Sequence, residues 1–160
     1  KMLQKRIDTM MKKYGVPHNN YFQNGEKFYS DISQELFKSI FEKYNQKEIY
    51  FATLNKEYFL MNEENKFYFM DFVDLTNKKI IEFNGDYWHA NPKDYEDSDL
   101  VHLPNGDVVA SEIWKRDEVK INFAKSKGFD ILVIWESEYK ENKESTIWKC
   151  LDFLSGQSSC

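Results

Sequence analysis

The spacing of hydrophobic residues predicts one helix and several strands in the first half of the chain. Residues 31–45 predict a helix whose apolar face is formed by Ile32, Leu36, Ile40 and Phe41. Three segments dense in Tyr, Phe, Ile and Leu predict a meander of strands joined by short turns, at residues 48–54, 57–62 and 66–75. Residues 79–84 predict a further strand, which ends before Gly85.

The second half predicts a loop, a helix, a strand and a final helix. Residues 86–110 contain Pro92 and Pro104 and predict one long loop, a length that is usually functional. A helix is expected from Ser111 to Lys127, followed by a nearly all-apolar strand at residues 129–135 that is buried on both faces. Residues 143–154 predict the last helix. This order predicts an α/β (α+β) fold, with a mixed central β-sheet flanked by helices.

Length and composition favour one globular domain. The chain has 160 residues, of which 41% are hydrophobic, 31% charged and 17% aromatic, which excludes intrinsic disorder over most of its length. No apolar run approaches the about 18 residues of a membrane span, so no membrane partner is expected. The two cysteines have no metal-type spacing, and a reducing, cytoplasmic location is expected. Because the chain begins with Lys1, we expect it to be a piece of a longer protein.

We expect three segments along the chain. Residues 1–27 form a basic N-terminal segment and linker, residues 28–155 the compact domain, and residues 156–160 a tail. The net charge of −5 argues against nonspecific coating of nucleic acid, whereas the first segment is basic and could follow phosphates. Its candidate DNA-binding residues are Lys5, Arg6, Lys12 and Lys13. A solvated basic surface without a partner is an equally open interpretation.

Three acidic residues occupy positions where periodicity predicts apolar ones. Asp71 interrupts a stripe formed by Phe67, Phe69, Val73 and Leu75; Glu82 lies between Ile81 and Phe83; and Asp117 falls on the helix face of Ile113 and Ile121. A buried carboxylate costs several kcal/mol unless it is paired or binds a metal, and the hard cation Mg²⁺ suits such oxygens. The alternative is that each acid pairs separately with a cation such as Lys78, Lys79 or Arg116.

A histidine and two aromatic residues follow the strand that carries Glu82. His89 lies at the exit of this strand, where a neutral imidazole beside a metal-bound water could accept a proton near neutral pH. Tyr87 and Trp88 precede it. They either anchor the loop to the core or form a wedge that unstacks base pairs of DNA.

An ordered series of segments resembles the very-short-patch-repair (Vsr) endonucleases. In chain order these are Asp71-Phe72-Val73, the strand and turn from Ile80 to His89, Lys115-Arg116-Asp117, and Gly128 to Glu136. The resemblance covers about residues 30–137. The chain is most similar to phage homing endonucleases with a Vsr-like nuclease domain of the E-D-x-H-D type. The repair enzymes carry a structural zinc site for which this chain has no suitably placed cysteines, which favours the homing type.

The Vsr family belongs to the PD-(D/E)XK nuclease superfamily, so the resemblance implies that fold and Mg²⁺-dependent cleavage of double-stranded DNA, with Mn²⁺ as a substitute. The implied metal ligands are Asp71, Glu82 and the backbone carbonyl of Phe83. The resemblance further implies that His89 orients or deprotonates the attacking water, that Asp117 holds His89 or a metal-bound water, and that Glu35 is the first Glu of the motif. Asn84 stands where the superfamily usually has Lys, and Arg116 precedes Asp117.

The sequence therefore predicts the catalytic domain of a metal-dependent homing endonuclease, with a DNA-specificity region N-terminal to this fragment. Two alternatives remain open. One is a repair- or restriction-type DNA nickase of the same fold, and the other is a catalytically inactive DNA-binding module.

Overall fold

The computed structural model describes residues 29–44 and 46–156. In chain order the elements are α1 (Asp31–Lys43), β1 (Ile49–Phe51), β2 (Tyr58–Met61), β3 (Phe67–Met70), β4 (Phe72–Asp74), β5 (Lys79–Asn84), β6 (Leu100–Leu103), β7 (Gly106–Val109), α2 (Ala110–Ser126), β8 (Asp130–Trp135), α3 (Glu136–Glu141) and α4 (Lys143–Leu154).

The main sheet has the strand order β1-β4-β5-β8. The strands β1, β4 and β5 are antiparallel neighbours, with Phe51 opposite Phe72 and Phe72 opposite Ile81. β8 is parallel to β5, with Glu82 opposite Val133, because α2 carries the chain back across the sheet between these strands. The structure therefore confirms the expected α+β class, a mixed central sheet flanked by helices.

The two faces of the main sheet carry different helices because side chains alternate along each strand. On one face, Ile81 and Phe83 pack with α1, α3 and α4 in a core that includes Phe37 and Tyr139. On the other face, Ile80 packs with α2, the β2–β3 hairpin and further buried residues, among them Ala124. Glu82 and Asn84 share the face of Ile80 by this alternation, so they point toward α2.

The expected meander of residues 48–75 is wrong in its connections. The strands β2 and β3 form a separate antiparallel hairpin, with Tyr58 opposite Met70, while β1 pairs with β4. The predicted strand 66–75 is interrupted at Asp71, where the chain leaves the hairpin and enters the main sheet. The predicted stripe is also wrong, since Tyr68 and Met70 are buried while Phe67 and Phe69 are only partly buried.

Three other expectations need correction. The region 86–110 is not one loop, because it contains the β6–β7 hairpin, whose Val101 packs with Ile113 of α2. The strand β8 is not buried on both faces: it is the last strand in the sheet order, and five of its six residues are exposed or partly exposed. The short helix α3, directly after β8, was not predicted.

The expected boundaries of the domain are not tested, because the segment 1–27 and most of the tail 156–160 lie outside the described residues. From Ile32 onward, the described chain belongs to one compact unit. Within the described residues, every helix is too short or too polar to cross a membrane.

Candidate active site

Asp71 lies at the break between β3 and β4 and is tied to β5 by two hydrogen bonds. Its backbone N–H donates to Oε1 of Glu82 at 3.1 Å, and its Oδ2 accepts the backbone N–H of Phe83 at 2.9 Å. Each bond joins a side chain of one segment to the backbone of the other. The interruption of the strand at Asp71 is therefore what turns this carboxylate toward the end of β5.

The backbone carbonyl of Phe83 is directed to the side of β5 on which Asp71 lies. The pairing of β4 with β5 ends at Phe72 and Ile81, so Phe83 lies beyond it. The N–H and C=O groups of one strand residue point toward the same neighbouring strand. Since the N–H of Phe83 points to Asp71, its carbonyl oxygen faces that side too. Among the described residues no partner is recorded for Oδ1 of Asp71.

Lys120 of α2 forms an ion pair with Oε2 of Glu82, and sequence reasoning missed it. Glu82 is 5% exposed, so its charge requires a partner. Two of the suggested cations are engaged elsewhere, since Lys79 pairs with Asp130 and Lys78 lies over the ring of Phe129. The third, Arg116, lies near Asp117. The helical spacing of the sequence could have identified Lys120. It follows Ile113 by seven residues and precedes Ala124 by four, which puts it on the buried face of α2.

Glu57 is a further acidic residue that sequence reasoning missed. It directly precedes β2, whose first residue Tyr58 lies opposite Met70, so Glu57 lies at the end of the hairpin from which the chain continues to Asp71. Burial, then the charge of Asp71, raise the pKa of Glu57 to about 8, although Lys120 acts to lower it. We refer to Glu57, Asp71, Glu82 and Lys120 as the Asp71 cluster.

The Asp71 cluster holds three carboxyl groups and one ammonium group. Burial and the neighbouring charge of Asp71 raise the pKa of Glu82 to about 7, even with Lys120 in contact. Burial acts to lower the pKa of Lys120, but the charges of Glu82 and Asp71 raise it to about 12. The ammonium group of Lys120 thus faces several carboxyl groups, and the raised pKa values of Glu57 and Glu82 show that their ionised forms are disfavoured. A further cation would relieve this repulsion.

His89 and Asp117 form a pair beside this cluster. Nδ1 of His89 lies 2.6 Å from Oδ2 of Asp117, and both side chains are partly buried. A carboxylate at Nδ1 favours the tautomer with its proton on Nδ1, which leaves Nε2 able to accept a proton. The turn that carries His89 is fixed to α2 by Trp114, whose Nε1–H donates to the carbonyl of Ala90 at 2.7 Å.

Helix α2 brings the His89–Asp117 pair and the Asp71 cluster together. Asp117 and Lys120 are three residues apart on this helix, a spacing that makes side chains neighbours at about 5–6 Å between Cβ atoms. The charge of Asp117 also contributes to the raised pKa of Lys120. Asp117 is only partly buried. Its predicted place at the centre of the apolar stripe of this helix would have required full burial.

Glu35 lies apart from these contacts. Its Oε1 accepts hydrogen bonds from the hydroxyl of Tyr139 at 2.8 Å and from Nζ of Lys143 at 2.6 Å, and these bonds lower the pKa of Glu35. The side chain is about half exposed. Within the described part of the chain, no hydrogen bond or ion pair joins Glu35 to Asp71, Glu82 or His89. Its catalytic role stays a prediction.

The aromatic pair lies at the surface next to His89. Tyr87 is 44% and Trp88 is 54% exposed, and their rings meet edge to face at 5.7 Å between centroids. The Tyr87 hydroxyl donates to the carbonyl of His102, which fixes this turn to the β6–β7 hairpin. Both aromatic residues are therefore held in place without being buried, and the loop-anchoring interpretation accounts for Tyr87 but not for Trp88.

The remaining predicted site residues lie at the edge of the site or outside the described residues. Asn84 is buried at the end of β5, opposite Trp135. Nε of Arg116 lies 3.8 Å from Oδ1 of Asp117, and its side chain is mostly exposed. The N-terminal candidates for DNA contact, Lys5, Arg6, Lys12 and Lys13, lie outside the described residues.

A divalent metal ion needs several hard donor atoms at one place. Among the described residues, no group of three or more His, Cys, Asp or Glu side chains is arranged to hold a metal ion. Mg²⁺, however, usually keeps several waters and needs only one or two carboxylates together with phosphate oxygens. Oδ1 of Asp71, which has no partner among the described residues, and the carbonyl of Phe83 are hard oxygen donors on the same side of β5, and they fit such an ion.

Comparisons with protein-family models, with curated proteins and with solved structures found no significant match for this chain.

Proposed function

We propose that this chain is the catalytic domain of a metal-dependent DNA endonuclease of the Vsr-like, PD-(D/E)XK type, acting as a homing endonuclease. The ordered motifs of the sequence support this proposal, and so does the mixed sheet flanked by helices that such a nuclease would have. The single observation that carries it is the convergence, around α2, of the His89–Asp117 pair with the Asp71 cluster.

The convergence supports catalysis because its parts have complementary chemistry. Asp71 and the carbonyl of Phe83 would hold a Mg²⁺ ion that also contacts a phosphate oxygen of DNA. A divalent ion in such a site supplies acidification of a bound water and stabilisation of charge on the phosphate. The three carboxyl groups of the cluster outnumber its one ammonium group, and this favours uptake of a further cation.

The His89–Asp117 pair would handle the proton of the attacking water. With Nδ1 held by Asp117 at 2.6 Å, Nε2 of His89 is the nitrogen that accepts the proton. Asp117 keeps the ring oriented and stabilises the imidazolium that forms. Partial burial of both residues reduces competition from bulk solvent.

The exposed aromatic pair supports DNA as the substrate. Trp88 stands next to His89 in the chain, is more than half exposed, and is held by a turn tied to α2 and to the β6–β7 hairpin. A rigidly mounted, exposed aromatic ring beside a catalytic group is suited to insert between bases or to stack on one. Sequence preference would come from regions N-terminal to the domain.

A plasmid-nicking assay tests the proposal. The protein is incubated with supercoiled plasmid in Mg²⁺, in Mn²⁺ and in EDTA, and open-circular and linear products are measured. We expect cleavage in either metal and none in EDTA. Asp71→Asn should lower the rate about 1,000-fold or more, because loss of metal-based charge stabilisation costs several kcal/mol and each 1.36 kcal/mol is a factor of ten.

The matched control is Asp130→Asn, which removes an exposed carboxylate paired with Lys79 and should leave cleavage unchanged. Metal-independent cleavage, or equal rates for wild type and Asp71→Asn, would contradict the proposal. Preference for a mismatched over an intact duplex would favour the repair-type nickase. Binding of DNA without any cleavage would favour the inactive binding module.

A further inference from the structure

Glu82 occupies the second acidic position that the resemblance assigns to the metal, yet both of its carboxylate oxygens already have partners. Oε1 accepts the backbone N–H of Asp71, and Oε2 is paired with the ammonium group of Lys120. Asp71 differs, because among the described residues only its Oδ2 has a partner, the N–H of Phe83. Of these two neighbouring carboxylates, Asp71 is thus the one with an oxygen that no described residue engages.

Lys120 is held firmly in this position. It lies on the buried face of α2 together with the fully buried residues Ile113 and Ala124, and its side chain is 25% exposed. The aliphatic part of such a side chain packs against the core while its charged end reaches the carboxylate. The Nζ group therefore brings a fixed positive charge to the side of Glu82 that faces α2.

We propose that Glu82 is the counterion of Lys120 and not a ligand of the metal, so that this internal ammonium group takes the place of a second metal ion and the site binds one divalent cation per chain. This inference rests on the proposed function. It differs from the ligand set that the resemblance implies, in which Asp71 and Glu82 share the metal. Glu82 instead orders the backbone of Asp71 and neutralises Lys120.

Metal binding without DNA tests the inference, with Mn²⁺ as the probe and free Mn²⁺ measured by electron paramagnetic resonance. We expect one Mn²⁺ per wild-type chain. Asp71→Asn should raise the Kd at least about tenfold, as expected for loss of an acidic ligand and its charge. Glu82→Gln keeps an acceptor for the N–H of Asp71 but leaves the charge of Lys120 uncompensated, so its Kd should rise by less than about tenfold, that is by less than about 1.4 kcal/mol.

Removing the internal cation gives the complementary test. Lys120→Met frees Oε2 of Glu82, so this variant should bind a second Mn²⁺ or bind the first at least about tenfold more tightly. Because Lys120→Met leaves a buried carboxylate unpaired and could fail to fold, the double variant Glu82→Gln/Lys120→Met is measured as well. The double variant removes the charges of Glu82 and Lys120 together, so it should bind one Mn²⁺ with the wild-type Kd.

The possible failures are distinguishable. Two Mn²⁺ ions per wild-type chain, or a Kd that rises as much in Glu82→Gln as in Asp71→Asn, would overturn this inference and leave the proposed nuclease intact. A wild-type chain that binds no Mn²⁺ overturns the inference together with the proposed metal site, whereas absence of plasmid cleavage with normal Mn²⁺ binding overturns only the proposed function.

Discussion

Asp74 and Glu82 are buried carboxylates on the neighbouring strands β4 and β5, and their surroundings differ. Asp74 is fully buried and is satisfied by neutral donors: Oδ2 accepts from the Tyr44 hydroxyl at 2.7 Å and from Nδ2 of Asn77 at 2.8 Å, and Oδ1 accepts the backbone N–H of Asn77. Glu82 instead faces Lys120 and the charge of Asp71, and its pKa is raised to about 7 by burial and by that charge.

Burial of an acidic residue therefore does not by itself indicate a functional site. Asp74 accepts hydrogen bonds from Asn77 in a local turn and from the hydroxyl of Tyr44, which follows α1. Any well-placed acceptor could fill this role. Around Glu82, titratable groups from β5, α2, the β3–β4 break and the residue before β2 meet. Convergence of like charges, which folding opposes, is the feature that calls for a functional explanation.

The largest expected effect is on catalysis at the Glu82 side of the sheet. His89→Gln should lower the nicking rate about 100- to 10,000-fold, the range for loss of a general base, while the thermal unfolding midpoint changes little. His102→Gln is a matched control, because His102 also places Nδ1 against a carboxylate, that of Asp107 at 2.8 Å, but is exposed. Equal activity of the two variants would refute the role of His89.

The Asp74 side should respond in stability instead. Asp74→Ala removes the acceptor of the Asn77 backbone N–H and one acceptor each of the Asn77 side chain and the Tyr44 hydroxyl, so the free energy of unfolding should fall by about 1–3 kcal/mol. Urea denaturation measures this loss. Nicking per folded molecule should stay within about twofold of wild type. A folded Asp74→Ala variant with strongly reduced nicking would show that the two carboxylates share one function.

A smaller effect concerns the dependence of stability on pH. Glu57, whose pKa is raised from 4.5 to about 8, binds its proton more tightly in the folded state, so its stabilising contribution is complete below pH 4.5 and is lost as pH rises through 8. In EDTA the wild type should therefore lose stability relative to Glu57→Gln as the pH rises from 4.5 to about 8, the window set by these two pKa values. Thermal unfolding across this range measures the difference.

Mg²⁺ provides the control for this pH effect. If the ion binds beside Asp71, adding it at high pH should restore part of the wild-type stability, because ligand binding to the folded state raises its unfolding midpoint. The same addition should have little effect on the contribution of Asp74. Parallel pH curves for wild type and Glu57→Gln would contradict the placement of Glu57 in the Asp71 cluster.

The smallest expected effect is that of Glu35→Gln. The pair of Glu35 with Lys143 is half exposed, and exposed ion pairs contribute about 0–1 kcal/mol. Because the carboxylate is engaged by Lys143 and Tyr139, we expect nicking to fall by less than tenfold, a barrier change below about 1.4 kcal/mol. A loss as large as that of Asp71→Asn would instead place Glu35 in the catalytic site, as the resemblance implies.

The main helices and β5 could be predicted from the sequence because they depend on local periodicity. The strand β5 has the predicted bounds, and α2 begins one residue before the predicted start. The apolar stripes of these elements are interrupted by Glu82 and Asp117, which identified two members of the site without any knowledge of the fold. The β6–β7 hairpin was missed because its residues are mostly exposed and carry a weak hydrophobic pattern.

Local residue patterns were enough to predict the class of fold, the burial of Glu82 and the position of His89 at the exit of a strand, since each follows from residues close together in the chain. No local pattern showed that Lys120, and not Lys78, Lys79 or Arg116, neutralises Glu82, or that the charge of Asp71 acts on Glu57. The physical reason is that strand register and helix placement are set by packing between distant segments, and a charged side chain takes whichever partner that packing brings within reach.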